Sequence, residues 1–249
     1  MTTFKDYFST ASDDYKRYRP TYPAELFAYL AASAPTRSLA IDIGCGNGQA
    51  SVMLAQHFSQ VLATDASAAQ IEQAQPCANV HYQASPAETI PAADHSADLV
   101  TVAQAIHWFD HPRFFAEVDR VLKPGGLLAI WGYQLLHTDS ALDAVIAHFH
   151  GQVVGPFWPK ERALLDNGYT RIDFPYPRLS TPDFYMRAHW RFSHLLGYLN
   201  TWSAVKQFEK ANGHNPVEQE GEALLSAWGD PATERGIYWP LILYVGQRR

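Results

Sequence analysis

Cysteine is scarce in this chain: Cys45 and Cys77 are the two it has. Two thiols cannot build the disulfide framework of a small secreted domain. Neither has a CxxC partner and no Cys/His cluster has zinc spacing, so no metal is expected and a reducing compartment fits. Positive charge is thin as well. The 19 Lys and Arg stand against 25 Asp and Glu, a formal net charge of −6, and the pI is near 6.0. That balance creates no field to gather nucleic acid or an anionic lipid surface, so neither is expected as a partner. Long apolar runs are missing too: nothing approaches the roughly 20 residues that span a bilayer. The opening stretch Met1-Thr2-Thr3-Phe4-Lys5-Asp6 shows no basic segment leading into an apolar one, so no signal peptide is visible. The expectation is a soluble cytoplasmic protein.

What the chain does have is apolar and aromatic mass, 47% and 13% of its 249 residues. This is enough for a substantial core, and the length suits one α/β domain. Short apolar runs alternate with helix-like segments. The runs are Ser38-Leu39-Ala40-Ile41-Asp42-Ile43, Val61-Leu62-Ala63-Thr64-Asp65, Val80-His81-Tyr82-Gln83, Ala97-Asp98-Leu99-Val100-Thr101-Val102-Ala103 and Leu127-Leu128-Ala129-Ile130-Trp131. The last of these follows a turn at Lys123-Pro124-Gly125-Gly126, and helices are predicted over 48–60, 68–74 and 112–122. Repetition of β and α predicts parallel strands with right-handed crossovers and a sheet covered on both faces. A final run, Trp239-Pro240-Leu241-Ile242-Leu243-Tyr244-Val245, is bulky at every position, as a strand buried on both faces requires. Residues 181–228 read as helices, with His189, Phe192, Leu195, Leu196 and Leu199 at helical spacing. Such an insertion packs as core, and it can also serve as a cap over the strand ends.

The chemistry begins at Ile41-Asp42-Ile43-Gly44-Cys45-Gly46-Asn47-Gly48. A strand must turn sharply into a helix there, and glycines let a ligand approach the backbone. The spacing is GxGxG, with Gln49 where a dinucleotide-binding GxGxxG turn has its third glycine. Asp65, ending the second strand, is placed to accept hydrogen bonds from both hydroxyls of an adenosine ribose. Nothing near Cys45 lowers its pKa, so it reads as a compact filler and not as a nucleophile.

The ordered set IDIGCGNG, TDAS, AE-x-IP, DLVTVAQAIHWFD and VLKPGG, over residues 39–131, resembles class I S-adenosylmethionine-dependent methyltransferases of the type-11 group. Tyr15-Lys16-Arg17-Tyr18-Arg19-Pro20-Thr21-Tyr22-Pro23, Gln104-Ala105-Ile106-His107-Trp108-Phe109 and Tyr198-Leu199-Asn200-Thr201-Trp202-Ser203 are similar to the subgroup of trans-aconitate 3-methyltransferase-like proteins. The resemblance implies a Rossmann-like, three-layer α/β/α fold with a seven-stranded, mostly parallel sheet. Its last strand would insert antiparallel between the fifth and sixth. A single domain over 1–249 would comprise an N-terminal helical segment (1–35) over the cofactor site, a cofactor-binding core (36–135) and the helical cap (181–228).

Carried over by residue, the resemblance places Gly44, Cys45, Gly46 and Gly48 beside the methionine part of S-adenosylmethionine. Asp42 would reach its amino group and Asp65 its ribose. Ala66, Ala87 and Glu88 would lie at the adenine, and Gln104 would border the sulfonium. Arg19 would neutralise the cofactor carboxylate or hold the N-terminal segment, with an ordinary surface arginine as the alternative. Trp108, Tyr133 and Trp202 are candidate walls of the substrate pocket. His107 is the best-placed candidate base, against the alternative of a packed loop histidine. The sulfonium is itself a strong methyl donor, so alignment matters more than acid–base chemistry, and a carboxylate acceptor needs no base. The expected function is in-line methyl transfer to a small-molecule carboxylate or hydroxyl oxygen, yielding S-adenosylhomocysteine. A catalytically silent cofactor-binding module and a nicotinamide-dependent oxidoreductase are the alternatives.

Overall fold

The computed structural model describes residues 17–249. The N-terminal expectations for residues 1–16, including Tyr15 and Lys16, lie outside the described residues. The described chain opens with α1 (Ala24–Ser33) and then alternates strand and helix. The elements are β1 (Leu39–Ile43), α2 (Gln49–Leu54), β2 (Gln60–Asp65), α3 (Ala68–Glu72), β3 (Val80–Ala84), β4 (Ala97–Ala103), α4 (His111–Val121) and β5 (Leu122–Tyr133). After β5 come α5 (Ser140–His148), a run of single turns over 149–162 and α6 (Ala163–Asp166). Then follow β6 (Tyr185–Trp190), α7 (Phe192–Asn200), α8 (Ser203–Asn212), α9 (Pro216–Gln219), α10 (Gly221–Trp228) and β7 (Arg235–Gln247).

The sheet has seven strands in the order β3-β2-β1-β4-β5-β7-β6. Neighbours from β3 to β5 run parallel, while β7 is antiparallel to both β5 and β6. The implied topology is therefore the observed one. Alternate strand residues feed opposite layers. Ala40, Leu99, Leu127, Ala129 and Trp131 pack with Leu26, Phe27 and Leu30 of α1 and Leu54 of α2. Ile41, Ile43, Val100, Val102, Leu128 and Ile130 pack with Phe114, Val118 and Val121 of α4. In α4 those three side chains recur at i, i+4 and i+7, Pro112 sits in the first turn, and the Asp110 carboxylate accepts from the Arg113 N–H.

The helical reading of 181–228 needs correction, because residues 185–190 form β6. Met186 and Trp190 are buried while Arg187 and His189 are exposed, a pattern an edge strand on β7 satisfies. Arg187 lies in β6 and Arg191 occupies the N-cap position of α7. Lys123-Pro124-Gly125-Gly126 also belongs to β5, whose start is irregular, and Gly125 takes φ +79°.

From β1 the chain moves outward to β3, then returns to the other side of β1 as β4. This reversal of strand order places a crevice at the carboxyl ends of the strands.

Candidate active site

A cavity of about 740 Å³ occupies that crevice, within the range of about 300–1,000 Å³ usual for small-molecule sites. Much of its wall is built from strand-end loops: Gly44 to Asn47 after β1, Asp65 to Ser67 after β2, Ser85 to Glu88 after β3, and Ala103 to Ala105 after β4. The rest of the wall includes Arg19, Tyr22, His107, Trp108, Phe109, Trp158, Pro159, Glu161, Arg162, Leu165 and Ser203.

The glycines of the turn have separate physical tasks. Gly44, Gly46 and Gly48 all take positive φ, +68°, +55° and +86°. A Cβ on Gly44 would stand 2.6 Å from Ala105 Cβ, so its absence lets the β1 and β4 loops close together. A Cβ on Gly48 would stand 2.2 Å from Tyr82 Oη, so that glycine makes room for a tyrosine. Gly46 differs. Its Cβ would meet nothing nearer than Gln70 Oε1 at 3.8 Å and would project into the cavity, which marks the place where a ligand can press on backbone.

Asp65 braces this cradle. Its Oδ2 accepts from the Gly46 N–H at 2.8 Å and its Oδ1 from the Ser67 N–H at 2.9 Å. Ala66, Ala87 and Glu88 follow on the same wall, and Glu88 Oε1 accepts the Asp110 N–H at 2.8 Å, fixing the adjoining loop. Cys45 lines the cavity, and burial with the Asp42 and Asp65 charges pushes its thiol pKa well above the ordinary range, leaving no thiolate. Gln104 sits on the wall at φ +58°, unusual for a residue with a side chain. Its amide is engaged with the backbone of Tyr133, accepting from N at 2.9 Å and donating to O at 2.9 Å, which locks the end of β4 to β5.

Several expected site residues stand behind the wall. Asp42 is fully buried and absent from the cavity lining; its carboxylate accepts from Ser51 Oγ at 2.6 Å and Thr101 Oγ1 at 2.9 Å. Burial lifts its pKa to about 6, against the lowering effect of those two hydroxyls. Gly48 faces Tyr82. Tyr133 is also behind the wall, its hydroxyl accepting from Arg19 Nη1 at 3.0 Å. Trp202 is buried against Trp158, with ring centroids 5.5 Å apart. Trp108 does line the cavity.

His107 lines it as well, nearly buried at 8% exposure, and its Nδ1 has no hydrogen-bond partner. Burial, then the nearby Arg162 and His111 charges, hold its pKa down to about 3, so the ring is neutral at physiological pH. Of residues 181–228, Ser203 is the one on the wall; the outer wall comes instead from residues 158–165. That stretch carries no helical or strand period. The cluster Phe157-Trp158-Pro159 beside Arg162 was its one visible signal. Among the described residues no group of three His, Cys, Asp or Glu could hold a metal, and no helix is long and apolar enough to cross a membrane.

Residues 41–130 match the sequence profile of a family described as a methyltransferase domain. A Dictyostelium discoideum protein named as a methyltransferase is 36% identical over 231 residues, covering 91% of this chain and 88% of the relative. A Saccharomyces cerevisiae protein named as an S-adenosylmethionine-dependent methyltransferase is 31% identical over 131 residues, covering 49% of this chain and 45% of that one. The solved structure of a type II methyltransferase from Anaeromyxobacter dehalogenans superposes with a TM-score of 0.87 at 40% identity, covering 92% of this chain and 97% of that chain. These comparisons give no support to the nicotinamide-dependent or silent-module alternatives. The chain belongs to the class I S-adenosylmethionine-dependent methyltransferases.

Proposed function

We propose that the protein transfers the methyl group of S-adenosylmethionine to a carboxylate or hydroxyl oxygen of a small molecule by in-line displacement. The observation that carries the reading is that one cavity is lined both by the Gly46–Asp65 cradle and by the aromatic side chains of Trp108, Phe109 and Trp158. The cofactor fits the cradle's chemistry. Gly46 leaves space for it, Asp65 is an acceptor at the β2 end suited to ribose hydroxyls, and Ala66, Ala87 and Glu88 border the adenine position. Arg19 and Tyr22 on the same wall support the role of the N-terminal segment in covering the site. Asp42 acts from behind, through Ser51, on the start of α2.

When bound, the cofactor supplies an electrophilic methyl whose bonding pair leaves with sulfur as the acceptor oxygen forms the new bond. The chain's part is alignment and exclusion of water, which can contribute about 7–11 kcal/mol of the barrier. Gln104, held by Tyr133, fixes the β4 loop beside the cradle, while Trp108, Phe109 and Trp158 wall the acceptor away from solvent. A neutral His107 is a poor base at its low pKa, so the reading favours an acceptor already ionised. The free thiols of Cys45 and Cys77 fit a cytoplasmic setting.

Tritiated-methyl S-adenosylmethionine, incubated with the enzyme and a panel of carboxylic acids, phenols and amines, tests this. Label should pass to an organic-extractable oxygen ester or ether with equimolar S-adenosylhomocysteine. Label recovered solely in nitrogen products, or in no member of the panel, contradicts the reading.

A further inference from the structure

Two guanidinium groups line the cavity in opposite situations. Arg19 is committed to the protein: Nε donates to Thr201 Oγ1 at 3.0 Å, Nη1 to Tyr133 Oη at 3.0 Å and Nη2 to the Thr201 carbonyl at 3.5 Å. Arg162 is not. Its side chain is 18% exposed, its guanidinium carbon lies 4.0 Å from the ring centre of Trp158, and Nε approaches Asp166 Oδ1 at 3.2 Å. That approach is an ion pair without hydrogen-bond geometry, since the buried Nε has no hydrogen-bond partner. Nη1 and Nη2 also donate to no acceptor among the described residues.

A guanidinium carries five N–H donors in a planar fork, and one withdrawn from water is ordinarily satisfied by a carboxylate or by carbonyls. Nε is the atom shut away from solvent without a partner, a costly arrangement, while the Nη atoms remain open to an incoming acceptor. Here Arg162 borders the cavity, with its guanidinium carbon packed against the Trp158 ring. Of the carboxylates lining the cavity, Asp65 and Glu88 already accept backbone N–H groups, Glu161 is the third, and Asp166 is exposed and off the wall. A bound sulfonium adds a further positive charge.

We propose that Arg162 is the specificity anchor for the methyl acceptor, its Nη atoms holding a carboxylate of that molecule in a bidentate pair. The proposal rests on the methyl-transfer reading. Pairing with a guanidinium withdraws electron density from a carboxylate, so the anchored group is not the one methylated. The acceptor therefore carries a second nucleophilic oxygen, and the product leaves with the anchored charge intact.

The test uses the full chain saturated with S-adenosylhomocysteine. It is titrated with citrate, itaconate, 4-hydroxycinnamate and 4-hydroxyphenylacetate, and with the primary amide of each, by quenching of tryptophan fluorescence. At least one acid should bind at least tenfold more tightly than its amide. Arg162→Gln should abolish that preference while S-adenosylhomocysteine affinity stays within twofold. Arg162→Lys, which keeps the charge beside Asp166 but not the fork, should keep part of the preference and serves if the glutamine variant does not fold. Amides binding as well as acids, or no acid distinguishing wild type from the Arg162 variants, overturns the anchor. Failure of wild type to bind S-adenosylhomocysteine instead overturns the methyl-transfer reading, so the two failures are separable.

Discussion

Replacing Asp42 with asparagine should make the protein more stable at pH 8 and leave it nearly unchanged at pH 4. The carboxylate is fully buried, and burial raises its pKa from 3.8 to about 6. Between those values the unfolded chain has lost the proton while the folded chain still holds it, so stability falls as pH rises through the window. Above it the penalty is fully present. At 1.36 kcal/mol per pKa unit, the shift amounts to about 3 kcal/mol. Asparagine has the same shape and no charge to desolvate. Its Oδ1 can accept from Ser51 Oγ, and Thr101 Oγ1, 3.4 Å from the Ile41 carbonyl, can turn its hydrogen there and accept from Nδ2. The expected gain at pH 8 is therefore about 2–3 kcal/mol, or roughly 5–10 °C in Tm for a chain of this size. Calorimetric melts of both proteins at several pH values measure it as a difference, in which the other carboxylates cancel. A difference independent of pH, or a less stable variant at pH 8, refutes the reasoning. Because Asp42 stands behind the cavity wall, S-adenosylhomocysteine affinity should change less than tenfold; a larger loss would show that its charge reaches the ligand.

Gly46→Ala should fold with a penalty of about 1–2 kcal/mol for its left-handed backbone, yet bind S-adenosylhomocysteine at least tenfold more weakly by calorimetry. Gly48→Ala, whose methyl would collide with Tyr82, should lose more stability than Gly46→Ala in urea melts. Since His107 is neutral above about pH 4, His107→Gln should leave the shape of the pH–rate profile between pH 5 and 8 unchanged; an inflection lost in the variant contradicts this. Asp98 accepts from Thr36 Oγ1, the Ser38 and Leu39 N–H groups and Lys123 Nζ. Asp98→Ala should therefore cost about 3–5 kcal/mol in urea unfolding, because it strands those donors.

The parallel half of the fold is legible because its signals are local: apolar runs for β1, β2 and β4, and a glycine turn and an acidic strand end for the cradle. What was missed depends on partners distant in sequence. Strand β6 is defined by pairing with β7, and before that pairing is known His189 reads equally well as the start of the helical spacing continued by Phe192 and Leu195. Asp42 precedes the glycine turn as a ligand contact would, but Ser51 and Thr101, 9 and 59 residues away, turn its carboxylate inward. Tyr133 and Trp202 are aromatic and near the site, yet Arg19 and Trp158 stand in front of them. Arg162 reaches the cavity only through the irregular turns after α5, which no period announces.

The central claim, that the Gly46–Asp65 cradle holds S-adenosylmethionine for methyl transfer, is tested most directly by titrating S-adenosylhomocysteine calorimetrically into wild type and Asp65→Ala, both verified as folded by circular dichroism. The account predicts one site per chain in wild type and at least a tenfold loss in the variant, with no heat from NADH. Folded wild-type protein that binds no S-adenosylhomocysteine, or an Asp65→Ala variant with unchanged affinity, would contradict it.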